Sequence, residues 1–258
     1  MKTPELIINS DSFSFTSFFT SEASVSLSEI EFPNELIIGK QAEFLFETLL
    51  KLSSRYIILL SNIQIQGRDR TLGELDYLVL DRKTSSTLHI ELACKFYLFD
   101  ASLGDSPEAP WIGPNRKDRL IDKLGKLKKQ QFPLLYRKET REQLLPLQID
   151  INSVQQQLCL KAFLFIPKEL SKEVFPKNYQ SCIYGYWIHS SDFSSEDKDA
   201  LYRITNKKEW LLPPVNLSEW QHFSEVEKKI KESIGNKKSI LIYKKRNTNI
   251  QPIFVIWW

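Results

Sequence analysis

Two neighbouring stretches, GELDYLVLD (Gly73–Asp81) and HIELACKFYL (His89–Leu98), decide how this chain folds and where its chemistry can lie. Both are rich in apolar, β-branched and aromatic residues, and turn residues bound them, as expected of strands. Alternate side chains of a strand share a face. His89, Glu91, Ala93, Lys95 and Tyr97 therefore lie on one side of the second stretch. Ile90, Leu92, Cys94, Phe96 and Leu98 lie on the other, which is the apolar set expected to face the core. In the first stretch Glu74, Asp76, Leu78 and Leu80 share a face. A hairpin loop of four residues, Arg82–Ser85, sets Asp81 opposite Ser86 and, five places back on each strand, Asp76 opposite Glu91. Directly opposed residues have Cβ atoms ~5 Å apart. Two carboxylates so close repel unless a proton or a cation lies between them. A hard divalent cation with oxygen ligands, Mg²⁺ or Mn²⁺, suits the pair. Lys95 follows on the Glu91 face, where it can stabilise developing negative charge or orient an attacking water.

Upstream, GKQAEFLFETLLKL has helical periodicity, with Ala42, Leu45, Phe46, Leu49 and Leu50 as its apolar stripe and Glu43 and Glu47 off it. YIILLSNIQIQ, Tyr56–Gln66, is a further strand. Downstream, the Gly/Pro-rich loop GDSPEAPWIGPN leads into a helix expected from about Arg116 to Gln131. Asn115 is its expected N-cap, Asp118 sits in its first turn, and Pro133 is its expected limit. Leu120, Leu124 and Leu127 form its inner stripe. Arg116, Arg119, Lys123 and Lys126 form a separate basic side, suited to phosphate contacts. CLKAFLFIP and SCIYGYWIHSSDF read as strands. Leu217–Ile234 reads as an amphipathic helix closed by Gly235, and KSILIYKK and NIQPIFVIWW as a closing strand pair. The order predicts an α/β core with β-rich decoration: an N-terminal arm over 1–34, a core over 35–170 and a β-rich C-terminal extension over 171–258.

Composition narrows the partners. The chain has 258 residues, 42% hydrophobic and 26% charged, with a net charge of only +3, so any nucleic-acid affinity must come from a local patch. The three cysteines, Cys94, Cys159 and Cys182, are far apart and form no CxxC pair, which argues against zinc and disulfides and fits a reducing cytoplasm. The polar N-terminal stretch lacks the apolar core of a signal peptide, and no run is suited to span a membrane.

An Asp on one strand and a Glu plus Lys on the next, behind a helix carrying Glu, resembles the PD-(D/E)xK phosphodiesterase superfamily. The wider pattern of GELDYLVLD, HIELACKFYL, a Gly-Pro-Asn loop and a basic helix ending in Gln is similar to a bacterial domain family of unknown function assigned to that superfamily. YGYWIHSSDF and NKKEWLLPP are similar to its C-terminal half. The resemblance implies a restriction-endonuclease-like core of helix, antiparallel hairpin or meander, helix and strand. It implies Mg²⁺- or Mn²⁺-dependent cleavage of nucleic acid, with DNA favoured over RNA and the choice between them not fixed by the sequence. Asp76 and Glu91 match the metal-binding carboxylates, and Glu43 the acidic residue of the first helix. Gln130 or Gln131 matches a polar residue of the second helix, with Gln130 grouped with Arg116, Arg119, Lys123 and Lys126 as a nucleic-acid contact. One position departs: the superfamily's Lys stands two residues after the Glu, where this chain has Ala93, and Lys95 lies two residues farther on.

Plainer roles stand beside these. Glu91 and Lys95 can form a structural ion pair. Glu43 and Glu47 can be solvated helix charges, and the basic helix a solvated face. Tyr184, Tyr186 and Trp187 can fill a core rather than stack on bases. His89 is read as a hydrogen-bonded strand residue and Cys94 as core packing. At the level of function, the alternative to a nuclease is a non-catalytic protein of the same fold that binds nucleic acid or a protein. Hydrolysis of a small phosphoester would need a closed pocket.

Overall fold

The hairpin forms in the register that its loop length dictates. In a computed structural model that describes residues 4–23 and 30–258, β2 (Thr71–Asp81) and β3 (Ser86–Phe99) are antiparallel, and Asp81 pairs with Ser86. Ahead of them come α1 (Ile38–Leu52) and β1 (Tyr56–Gln66), which pairs antiparallel with β2. After β3 come the two-residue β4 (Trp111–Ile112), α2 (Leu120–Lys126), α3 (Phe132–Leu134), α4 (Lys138–Leu144) and β5 (Gln155–Pro167). The last part holds α5 (Lys177–Gln180), β6 (Ile183–His189), β7 (Leu201–Ile204), β8 (Gln221–His222), α6 (Phe223–Gly235), β9 (Ile240–Arg246) and β10 (Asn249–Ile256).

All ten strands join one mixed, mostly antiparallel sheet in the order β1-β2-β3-β5-β6-β10-β9-β7-β8, with β4 on β3. The parallel pairings are β3 with β5, β5 with β6 and β6 with β10. The expected α/β class holds at this level. Residues 171–258 extend the same sheet beyond β5 rather than building a sheet of their own.

Both faces of β3 are covered, which differs from the one-sided burial that its alternation suggests. Leu88 and Ile90 pack with Phe46, Leu49 and Leu50 of α1. On the opposite face Ala93 and Tyr97 pack with Leu120, Leu124 and Leu127. The reason is position: β3 is an interior strand with a parallel neighbour, and such strands carry helices on both sides. Glu91 therefore sits under a helix and not in solvent.

The second helix also departs from expectation. It starts at Leu120, with Arg119 rather than Asn115 at the N-cap. It then runs through a π turn, Leu127–Gln131, into α3, so Pro133 lies inside it. The proline lacks the N–H that would continue the ladder, and it follows directly on the wider π turn, in which Phe132 N–H bonds Leu127 O. Asn115 instead accepts the Ser239 N–H at 2.9 Å and ties this loop to the start of β9.

The described part of the N-terminal arm is tied down by backbone bonds. Leu6 N–H reaches Leu160 O at 2.8 Å and Phe18 N–H reaches Leu158 O at 2.9 Å, along the part of β5 that β6 does not pair. Among the described residues no helix is long and apolar enough to cross a membrane.

Candidate functional site

β2 and β3 part company where the carboxylates stand. Their ladder ends at Tyr77–Ile90; beyond it β2 continues on β1 and β3 on β5. The next opposed pair in that register is Asp76 and Glu91. Asp76 Oδ2 accepts the Leu92 N–H at 2.8 Å, so a side chain takes the place of the lost ladder acceptor. Gly73 makes room for the helix beside the gap, since a Cβ there would stand 2.8 Å from Leu134 Cδ2.

Glu91 is fully buried and held on both oxygens. His89 Nε2 lies 3.0 Å from Glu91 Oε1, and Gln131 Nε2 donates to Oε2. Gln156 Nε2 donates to His89 Nδ1 at 3.0 Å and to Phe132 O at 2.8 Å. That pattern assigns the ring proton of His89 to Nε2, facing the carboxylate. Lys123 Nζ donates to Gln131 Oε1 at 2.9 Å and so joins the network from α2.

The electrostatics of the pair are strained. Burial first, and the charge of Glu91 second, push the Asp76 carboxyl up to about 7, against the pull of the Leu92 N–H and Lys123. Burial holds Lys123 below the ordinary lysine value, although Glu91 and Asp76 draw it upward. Around Asp76 and Glu91 the site thus gathers the buried Lys123, with Glu74 and the exposed Lys40 also within electrostatic reach of Asp76. Among the described residues no group of three His, Cys, Asp or Glu side chains gathers to hold a metal. Two carboxylates nonetheless suit Mg²⁺, which usually takes one or two and fills the rest of its octahedron with water and substrate oxygens. A cation between Asp76 and Glu91 would relieve the repulsion that raises Asp76.

The other expected site residues fall differently. Glu43 lies on α1 and pairs with Lys40 instead of joining the two carboxylates. Glu47 likewise pairs with Lys51. Lys95 meets Asp118 at 2.9 Å, which disposes of a Glu91–Lys95 ion pair. The basic row is dispersed. Arg116 binds Asp100 at 3.0 Å and lies over the Trp258 ring, while Arg119 donates to Leu103 O and Ala109 O. Lys126 and Gln130 are exposed, and Lys123 alone of the row turns to the carboxylates. It is Gln131, not Gln130, that reaches Glu91.

Gln156 was invisible as a site residue in the sequence, because the parallel pairing of His89 with Gln156 links positions far apart in the chain. His89 shares its face with Glu91, and that parity was the one available signal for it.

A family model described as a domain of unknown function, DUF1853, matches residues 21–250. The chain belongs to the DUF1853 family. The match takes in Asp76, Glu91, Lys123 and Gln131 together with most of the C-terminal strands. No curated protein and no solved structure matches the chain.

The aromatics of the C-terminal half of this DUF1853 domain have structural partners. Tyr184 and Tyr243 hydroxyls lie 3.3 Å apart, Tyr186 OH donates to Glu196, and Trp187 Nε1 donates to Phe99 O at 3.0 Å. That half also fixes the loop beside the site, through Ser239 Oγ and Trp258 Nε1, both donating to Pro114 O. Cys94 lies half-buried on the face opposite Glu91, and burial pushes its thiol up to about 12, which leaves it unreactive.

Proposed function

We propose that this DUF1853 domain is a divalent-metal-dependent phosphodiesterase acting on nucleic acid, DNA in preference to RNA, built around a restriction-endonuclease-like core. The observation that carries it is the pair Asp76 and Glu91, opposed where two strands separate, with Asp76 lifted to about 7. Asp76 and Glu91 would hold the cation, Mg²⁺ or Mn²⁺, which when bound polarises a phosphate and lowers the pKa of a water. His89 and Gln131 hold the Glu91 carboxylate in one orientation, and Gln156 fixes the ring of His89. Such partners around a metal-binding carboxylate set its orientation and basicity.

Lys123 supplies the positive charge that the strand itself lacks at Ala93. It approaches from α2, within reach of both carboxylates, and can oppose the charge that develops on a phosphate in the transition state. Lys95, engaged by Asp118, acts farther out as a phosphate contact.

One observation favours a second function, a non-catalytic protein of the same fold that binds nucleic acid or a protein: Ala93 stands where the strand lysine is expected. Cleavage of mixed DNA and RNA substrates, with Mn²⁺ and with EDTA, separates the two. Wild type should cleave with Mn²⁺ only, and Asp76→Ala should not cleave. A wild-type protein that shows neither Mn²⁺-dependent cleavage nor a Mn²⁺-dependent melting shift would overturn the phosphodiesterase and make the second function the better one.

A further inference from the structure

The edge that β3 exposes after parting from β2 does not face empty solvent. A cleft of about 490 Å³ runs along it from Leu92 to Phe96, walled on one side by the first turn of α1 at Gly39 and on another by Lys207 and Lys208. Its charge is one-sided. Lys95, Lys123, Lys207 and Lys208 line it, and the single acid, Asp118, is already paired with Lys95.

Lys207 and Lys208 come from the C-terminal half, and their turn is fastened in place. Asn206 Oδ1 accepts the Lys208 N–H at 2.9 Å and Glu209 accepts the Asn206 N–H at 2.7 Å, a reciprocal cap. Arg203 Nη2 holds Glu209 at 2.8 Å. Gln41, buried in α1, donates to Lys208 O at 2.7 Å. The backbone of the two lysines is thus bound to the wall of the cleft, while both side chains stay exposed. Lys208 pairs with Glu35 at 3.6 Å, a long and exposed contact, and pairs of that kind contribute little.

We propose that this cleft receives a single strand of nucleic acid, with Lys207 and Lys208 as contacts to its phosphates and Lys123, which lines the cleft and feels the charge of both Asp76 and Glu91, as its link to the carboxylates. This rests on the phosphodiesterase function proposed above. Its volume is that of a pocket enclosing a small ligand, roughly 300–1,000 Å³, and suits a short run of one strand rather than a duplex. The cleft also has apolar lining, the exposed Ile37 and the edges of the buried Phe96 and Trp210, which can meet sugars beside a phosphate track.

Gly39 allows a test that spares the fold. A Cβ there would meet nothing within 4 Å, and the glycine lies inside a helix, so Gly39→Leu fills the cleft while favouring the helix. Binding of fluorescein-labelled dT12 and of a labelled 12-base-pair duplex would be followed by anisotropy, in EDTA, over a range of salt. For the full chain, Lys207→Gln/Lys208→Gln should weaken dT12 binding about tenfold and lower the salt slope by roughly 1.4, two contacts at ~0.7 each. Gly39→Leu should weaken dT12 binding with an unchanged or higher melting temperature. Unchanged affinity and slope in both variants, no dT12 binding by wild type, or tighter lysine-dependent binding of the duplex would overturn the inference. The two proposals fail separately. An Asp76-dependent Mn²⁺ melting shift without lysine-dependent dT12 binding removes the cleft and keeps the metal site. Lysine-dependent binding in EDTA without any Mn²⁺ response does the reverse.

Discussion

Glu91, on β3, and Glu196, in the connection from β6 to β7, are both buried glutamates, and their surroundings could hardly differ more. Glu196 accepts from Lys168, from Lys244 at 2.8 Å and from Tyr186 OH at 3.2 Å. Burial pushes its carboxyl up, but the lysine hydrogen bonds outweigh it, and the group ends below the ordinary value. Glu91 has a second acid, Asp76, opposite it, neutral donors from His89 and Gln131, and one lysine that is itself poorly solvated. The Glu196 carboxylate is fully compensated, by two lysines, and ties the end of β5, and β9, to the connection between β6 and β7. The Asp76–Glu91 pair has an excess of negative charge for which the fold supplies too little compensation. Strongly perturbed groups of that second kind mark functional sites more often than balanced ion clusters do.

The largest effect expected on this contrast is catalytic. Asp76→Asn should reduce Mn²⁺-dependent cleavage ~10³-fold or more, the several kcal/mol that a metal supplies. It should also abolish any Mn²⁺-induced rise in melting temperature. Glu196→Gln should leave cleavage at wild-type level under conditions where the protein is folded. If Glu196→Gln removes cleavage as Asp76→Asn does, the division between the two clusters is broken.

Stability should show the mirror image. Glu196→Gln strips a carboxylate from two lysines and should lower unfolding free energy by roughly 3 kcal/mol in urea melts. The pH dependences should also oppose each other. The folded Asp76 carboxyl, at about 7 against an ordinary 3.8, is raised. Its contribution to stability is therefore full below about pH 4 and is lost as pH rises toward 7, on the order of 2–4 kcal/mol. Glu196 is depressed below 4.5, so its contribution is present above that pH and is lost as pH falls through the folded value. Melts from pH 4 to 8 in EDTA should therefore lose stability toward the alkaline end in wild type and not in Asp76→Asn, with Mn²⁺ restoring the wild type at pH 8. A wild-type curve that rises over this range would count against the raised carboxyl.

Next in size are the partners of Glu91. Lys123→Gln should lower cleavage ~10²-fold, and Gln131→Ala should weaken Mn²⁺ binding ~10–100-fold in calorimetry, with Gln130→Ala as a silent control. Equal effects at 130 and 131 would show that the π turn does not set which glutamine acts. The smallest effect belongs to the Lys95–Asp118 pair. Its rupture by Asp118→Asn should change stability by no more than ~1 kcal/mol, since both side chains are substantially exposed.

Much of this was legible in the sequence wherever the physics is local. Strand parity put Glu91 and Lys95 on one face, and the four-residue loop fixed the β2–β3 register from Asp81–Ser86 as far as Tyr77–Ile90, one step short of Asp76 and Glu91. The stripe of α1 and the strands of the C-terminal half followed from periodicity. The helix after the Gly/Pro loop was legible in place but not in detail. Its π turn depends on how Leu127, Phe132 and Leu134 seat on the sheet, and one residue of extra winding decides between Gln130 and Gln131. Helix periodicity put Glu43 on a face but gave no distance: it pairs with Lys40, a lysine that also feels the charge of Asp76.

The sequence by itself determined the hairpin, its register and the presence of two opposed acids, because alternation and loop length act within a few residues. The tertiary structure alone decided what surrounds them. Parallel pairing with β5 brought Gln156 to His89, the covering helix brought Lys123 and Gln131 to Glu91, and the docking of a C-terminal turn on α1 brought Lys207 and Lys208 to the cleft. Those contacts join segments tens of residues apart, and their geometry is set by packing of the whole sheet, which no local pattern in the chain encodes.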